Sequence, residues 1–556
     1  MDAAANERAT GWARPTAIEW LCLAATLVLT LQYSWLLDDA FVYFRYVDNL
    51  VHLERGLVFN EGEYVEGYSS PLWCVAMVPL RAAGLDWWLI TRGVGLACAA
   101  GTWALLVELG RRTTPRGVPR VNLPLVHLAF LYATQTYFTS GVEAPLVQLV
   151  AAGFALYVFA PQSRVAQVLV GLAPMVRHEL ALPLAFACAW QFWRSRRVPW
   201  TVVLVAATTL GAWTLFRIVY YADVLPNTFY LKDEVNWERG FAYLGDTFLT
   251  YGTPWLFLAF ALLAFWSRRE RDIELGPRAV LVISAVAVSL YVAKIGGDPR
   301  HYRYLAFPFC ALVASWSGLI ERALVRWPAA SRTGGAWLVA GTVAFGTFLL
   351  YPRQLSKHPI GRDAAHTKID EINDAQYHRL KPDLTYSPWT LAPDIEQLDD
   401  VMLDLAYGES PLLPQGPVDI RDEYARWLAS DETPADYPVT TIGWCATAWR
   451  EFPRTLVHWD GLTDPILART TAKSWRAAHK KDLHPLGGDL AKLRGKFGST
   501  RESFRAAVDA GEAPEWIRRN LDTIETIARK AYNRHDFAEN LGLALTRVPR
   551  IDPASE

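Results

Sequence analysis

Two aspartates, Asp38 and Asp39, directly follow an uncharged run, residues 20–37 (WLCLAATLVLTLQYSWLL). Adjacent carboxylates in such a place can be a solvated helix cap. They can equally supply a general base, because a carboxylate within reach of a hydroxyl takes its proton as the oxygen attacks an electrophilic carbon. A neighbouring carboxylate raises the proton affinity of one member of a pair, which suits a base. The same pair could also hold a divalent cation; no other cofactor is implied. Cations gather elsewhere: Arg177 and His178 in RHEL (177–180), Lys232, Lys294, and Arg300, His301 and Arg303 in GGDPRHYR (296–303). A departing phosphate gains charge as its bond breaks, so fixed cations stabilise the transition state more than the ground state. Arginine suits this work because its planar fork meets two phosphate oxygens. For each cation alone, snorkelling or an ion pair with Glu179 or Asp298 is the plainer role. As a set on one face they favour an anion site, with Arg177, His178, Lys232, Arg300 and Arg303 the candidate phosphate ligands.

These groups must be positioned by membrane helices. Besides 20–37, apolar runs of spanning type occur near 88–109, 121–138, 143–160, 198–216, 248–266, 278–293, 304–320 and 335–351, with shorter runs at 165–176 and 180–193. A hydrocarbon core of about 30 Å needs about 20 apolar residues per helix, so about eleven spans are expected. The run 71–82 (PLWCVAMVPLRA) is too short to cross and is expected to lie along the outer surface. With the N-terminus inside as an uncleaved signal anchor, the arginine-rich loops 111–120, 194–197 and 268–278 fall on the cytoplasmic side, as positive charge in short loops requires. Asp38-Asp39, the loop 52–70 (HLERGLVFNEGEYVEGYSS), Glu143, RHEL, the stretch 223–232 (DVLPNTFYLK) and GGDPRHYR then all face outward. Charges at span ends are costly unless they face a cavity or a partner. Glu66, Tyr68, Glu143, Glu179, Asn227 and Asp298 are therefore candidate substrate contacts around an outward-facing cavity.

Composition limits the alternatives. The chain has 556 residues and a formal net charge of -1, which leaves no basic excess for binding nucleic acid. No nucleotide-binding loop occurs, Gly296-Gly297-Asp298 being too short for one, and a soluble nucleotide donor would meet the wrong face. The donor is therefore expected to be lipid-linked. The six cysteines are scattered and suggest neither a disulfide framework nor a metal site. Residues 1–352 form the expected transmembrane catalytic domain, and 353–556 an extracytoplasmic domain of α/β or mostly α type. That second region has seven tryptophans, helical candidates at 418–430 and 515–532, and a strand-like run at 438–443. It is either a cap on the membrane domain or a surface that stacks on sugar rings. On the second reading, a chain ending after Tyr351 would still bind the donor but would transfer poorly to a long acceptor.

The segment LLDDAFVYFRYVDNLVHLERGLVFNEGEYVEGYSSPLW (36–73) resembles the first extracytoplasmic loop of GT-C membrane glycosyltransferases. It is most similar to the terminal β-(1→2)-arabinofuranosyltransferase family of mycobacterial cell-wall synthesis. GVEAPL (141–146), RHEL (177–180), YYADVLPNTFYLK (220–232), GGDPRHYRYLAFP (296–308), DGLTDPILAR (460–469) and HKKDLHP (479–485) follow in order. The resemblance implies a mainly α, multi-pass enzyme of the bacterial inner membrane. Such an enzyme transfers a sugar from a decaprenyl-type polyprenyl phosphate to a cell-envelope glycan in cell-wall biogenesis. It also implies that the first-loop pair supplies the catalytic carboxylate, Asp38 before Asp39. Asp460 is a candidate sugar contact, whereas Asp464 better fits a helix cap before Pro465. The family more often has Arg-Pro-Glu at Arg177-His178-Glu179 and Asn-Phe at Ser70-Pro71, departures that bear on which sugar is used. A polyprenyl-phosphate-sugar transferase acting on protein or lipid A stays open, as does a lipid or glycan transporter. Transporters often carry internal repeats with sites at mid-membrane; this chain shows no repeat, and its charges gather at one face.

Overall fold

The computed structural model describes residues 14–32, 37, 39–232, 235–256, 258, 261–262, 274–298, 302–355, 439–442, 455–458, 461–470, 483–532 and 537–553. The expected elements at 418–430, and the site candidates Asp38, Arg300 and Asp460, lie outside the described residues. Helices dominate. In the first 355 residues they include α1 (Ala17–Gln32), α2 (Ala40–Val51), α3 (Pro71–Ala82), α4 (Trp87–Thr113), α5 (Leu123–Phe130), α6 (Tyr132–Tyr137), α7 (Ala144–Phe159), α8 (Arg164–Val176) and α9 (Ala181–Ser195). They continue with α10 (Trp200–Tyr221), α11 (Asn227–Leu231), α12 (Trp237–Thr250), α13 (Leu275–Lys294), α14 (Ala306–Ala314), α15 (Leu319–Leu324) and α16 (Ala329–Leu355).

Four described helical segments are long and apolar enough to cross a membrane: Leu89–Thr113, Trp200–Tyr221, Leu275–Lys294 and Arg303–Leu324. Their surroundings differ. The best apolar window of Trp200–Tyr221 is 17% buried, against 89% for Arg303–Leu324. The first turns Trp200, Leu204 and Leu215 outward, which suits lipid and would be a liability in water. The second belongs to the centre, where α14 packs on α7 and α13 and α7 is buried along most of its length. The helix α3 begins at Pro71, with Ser70 capping the amide of Trp73 and proline at the position where its missing N–H costs nothing. At 12 residues it is about 18 Å long, short of a bilayer core.

The apolar run 121–138 is not one helix. It breaks at Leu131 (ψ 112°) between α5 and α6. The side-chain amide of Gln135 donates to the carbonyls of Leu128 (2.8 Å) and Ala129 (3.1 Å), replacing backbone bonds that the break removes. Buried backbone acceptors in an apolar interior need such substitutes.

In the C-terminal region, β1 (Val439–Ile442) and β2 (Thr455–His458) pair in parallel, Val439 opposite Thr455. Around them are α17 (Leu483–Phe497), α18 (Ser503–Asp509), α19 (Glu515–Arg519), α20 (Leu521–Ala531) and α21 (Phe537–Leu545). The expected helix 515–532 is thus two helices separated at Asn520, and the expected strand at 438–443 is β1. This region has its own apolar core, built on Val457, Ile466, Leu490, Phe504, Ile517 and Ile527. Val65, from the loop between α2 and α3, is part of that core.

Candidate functional site

Asp39 occupies the position before α2, yet its side chain makes no capping hydrogen bond. The carboxylate instead accepts a hydrogen bond from Arg303, which stands 264 residues away in sequence and immediately ahead of α14. Arg303 also lies 3.5 Å from Glu143 and 3.9 Å from Asp298. Glu143, at the start of α7, accepts from Arg177 (2.6 Å) and from the hydroxyl of Tyr43 (3.2 Å), one helical turn beyond Asp39. Arg177 in turn donates through Nε to Glu179. The charges of this chain are unequally placed. The side chains of Glu143, Glu179 and Asp298 are at most 1% exposed, whereas that of Asp39 is 42% exposed. A buried charge persists only when paired, so Arg303 and Arg177 hold the inner acids and leave Asp39 at the open end.

Arg177 links this network to an open cavity of about 620 Å³, its mouth included. Ser69, Arg177, His178, Thr228, Phe229, Lys232, Tyr291, Lys294, Ile295 and Tyr304 line it. The guanidinium of Arg177 stacks 3.9 Å above the Tyr304 ring, and Lys232 donates to the Tyr304 hydroxyl at 2.8 Å. His178 Nε2 lies 2.6 Å from the Tyr291 hydroxyl. With Nε and Nη1 of Arg177 engaged by Glu179 and Glu143, Nη2 is the chief edge it can turn to a ligand. Three cationic side chains, Arg177, Lys232 and Lys294, and the imidazole of His178 therefore meet from three segments at one cavity, alongside apolar Phe229 and Ile295. Such a lining suits an anionic head group joined to an apolar chain. Among the described residues no three His, Cys, Asp or Glu side chains converge as a metal would require.

Comparisons with known proteins bear on the same reading. The chain is 28% identical over 376 residues to the terminal β-(1→2)-arabinofuranosyltransferase of Mycobacterium tuberculosis, covering 58% of each chain. It is 30% identical over 335 residues to the protein of that name from Corynebacterium glutamicum, covering 50% of this chain and 47% of the relative. The chain is related in sequence to the terminal β-(1→2)-arabinofuranosyltransferases. It spans about half the length of the curated relatives it matches. No protein-family model matches the chain, and no solved structure matches it.

Measured against this arabinofuranosyltransferase resemblance, the candidates divide. Asp39, Glu143, Glu179, Asp298, Arg177 and Arg303 form one network, while His178 and Lys232 join Arg177 in the cavity. Arg303 pairs with carboxylates and is not among the residues lining the cavity, which separates it from Arg177, His178 and Lys232. Glu66 is held by Arg217 and by the Trp213 indole (3.0 Å). Tyr68 lies buried with its hydroxyl 3.1 Å from that of Tyr221. Asn227 faces the loop 461–470. Asp464 caps that loop, its Oδ1 accepting from the amides of Ile466 (2.9 Å) and Leu467 (2.8 Å). Sequence reasoning did not single out Tyr43, Tyr291 or Tyr304. Tyr43 and Tyr304 lie within the segments 36–73 and 296–308, but Tyr291 sits in an apolar helix that gives no local signal.

Proposed function

We propose that this chain is a membrane glycosyltransferase. It moves a sugar, arabinofuranose, from a decaprenyl-type polyprenyl phosphate to a cell-envelope glycan on the extracytoplasmic side. The observation that carries the reading is the continuous chain Asp39–Arg303–Glu143–Arg177, which joins a part-exposed carboxylate to a cation-lined cavity. Asp39 takes the proton of the acceptor hydroxyl as its oxygen attacks the anomeric carbon. The bond from that carbon to phosphate oxygen breaks, and its electrons stay with the polyprenyl phosphate. Arg177, Lys232 and His178 stabilise the charge that develops there. Arg303 fixes the orientation of Asp39 through their ion pair. The shared name of both relatives supports arabinofuranose as the sugar.

The same reading includes the topology. About eleven spans cross the inner membrane, with an inside N-terminus and residues 353–556 outside. Purified protein in lipid nanodiscs, given polyprenyl-phosphoryl arabinofuranose and an arabinan oligosaccharide, should add one pentose to the acceptor. Parallel reactions with a mannosyl donor and with a peptide or lipid A acceptor test the nearest alternatives. Product from those substrates alone would move the activity to another sugar or acceptor. No product from any lipid-linked sugar would end the glycosyltransferase reading.

A further inference from the structure

The cavity owes part of its wall to the segment 223–232, which contributes Thr228, Phe229 and Lys232. The residue that opens α11, Asn227, is 3% exposed and directs its side chain away from that wall. Its amide nitrogen shares its hydrogens among the carbonyls of Gly461 (3.1 Å), Leu462 (3.0 Å) and Asp464 (3.2 Å). Its oxygen accepts from Arg469 Nη1 at 3.1 Å, and its backbone N–H donates to the carbonyl of Glu66 at 2.9 Å. One side chain therefore ties the cavity wall to a loop more than 230 residues later.

That loop is itself fixed. Gly461 adopts φ +72°, and a Cβ there would press on Leu467 and Ala468 at 3.0–3.2 Å, so only glycine closes the turn without strain. Asp464 caps it with Oδ1 and receives Arg494 at 2.7 Å on Oδ2. Arg469 reaches back to Asp223 at 2.6 Å, and Arg550 donates to the carbonyl of Tyr230 at 2.6 Å. The segment carrying Lys232 is thus anchored to the C-terminal region at Asp223, Asn227 and Tyr230. A side chain whose partners are all satisfied and buried sets geometry rather than binding a ligand.

We propose that Asn227 is a positioning residue, through which the loop 461–470 sets the place of Lys232 in the cavity. The C-terminal region is then a structural part of the donor-phosphate site. A chain cut after Tyr351 would lose donor binding as well as acceptor handling, unlike the sequence expectation. This inference rests on the proposed donor site, and its test separates the two.

Full-length protein in nanodiscs is prepared as wild type, Asn227→Ala, Lys232→Ala and the double variant, with thermal unfolding measured for each. Arg469→Lys is added because it keeps the charge opposite Asp223 while loosening the hold on Asn227. Two readouts are taken: binding of polyprenyl monophosphate, and sugar transfer with donor and acceptor varied separately. Asn227→Ala should weaken lipid-phosphate binding and raise the donor KM about tenfold, on the order of one charge-assisted hydrogen bond. Acceptor KM should stay within about twofold while kcat falls, because Lys232 acts on the developing charge, and Arg469→Lys should show a smaller shift of the same kind. In the Lys232→Ala background the Asn227 effect should vanish, because both changes remove one interaction. Additive effects, an unchanged kcat/KM for the donor, or a rise in acceptor KM equal to that in donor KM would each overturn the proposal. Wild type that binds the lipid phosphate but transfers no sugar would end the functional reading and leave the positioning test standing. Wild type that does not bind it would end both.

Discussion

Arg303 and Arg494 both lie buried among carboxylates, yet their networks end differently. Around Arg303 the acids Glu143 and Asp298 are enclosed while Asp39 remains 42% exposed. Around Arg494, itself fully buried, Glu63 (3.3 Å) and Asp464 (2.7 Å) are both enclosed and the Tyr532 hydroxyl accepts a further bond. The second network joins the loop after α2 to α17 and has no open end. The same residue types thus make a staple when every charge is closed in, and a candidate reaction centre when one carboxylate is left accessible. What differs is solvent access, which sets whether a charge can meet a substrate.

Four substitutions test that distinction, the largest effect first. Asp39→Asn keeps the volume but cannot accept the acceptor's proton, so transfer should fall about 10²–10⁴-fold with the protein still in the membrane. Near-normal transfer rates from purified Asp39→Asn would make the open network structural like the closed one. Arg494→Ala leaves Glu63 and Asp464 buried without their cation, and breaking such a pair costs about 3–5 kcal/mol. Denaturant unfolding followed by tryptophan fluorescence should show the C-terminal region destabilised; an unchanged midpoint would remove the staple.

Arg177→Lys retains charge but loses the fork that reaches Glu143 and Glu179 together. The donor kcat/KM should fall roughly tenfold, measured by steady-state kinetics at saturating acceptor, and an unchanged kcat/KM would leave Arg177 as an internal ion-pair residue. The smallest effect is expected at Glu63. Burial pushes its carboxyl above the ordinary value of 4.5, opposed by Arg494 and by Asn60. A carboxyl raised in the folded state stabilises below its unfolded value and loses that contribution as pH rises through the folded one. Wild-type stability at this junction should therefore decline as pH climbs past 4.5, and Glu63→Gln should flatten that slope. Unfolding at several pH values checks it; identical slopes would show that Glu63 does not titrate with folding.

Much of this molecule was legible locally. The limits of α3 follow from Ser70, Pro71 and a short apolar run, and the capping role of Asp464 from its place before Pro465. These depend on neighbours within a few residues, where backbone hydrogen bonding and helix-end chemistry dominate. The break in the run 121–138 was not legible, because hydropathy registers apolarity and not the side-chain amide that satisfies two carbonyls. The division of the cations was also hidden: Arg177 and Lys232 share a cavity, while Arg303 turns to Asp39.

The sequence by itself determined that apolar helices dominate the first 352 residues and that an acidic pair, Asp38-Asp39, and several cations sit at their ends. It did so because hydrophobic length and terminal charge are properties of short windows. Only the tertiary structure decided that Asp39 meets Arg303, and that Arg494 meets Glu63 across 431 positions. It likewise turned Asn227 from the cavity toward the loop 461–470. Burial and pairing are set by which helices pack together, and the low-dielectric interior then makes each long-range partner obligatory.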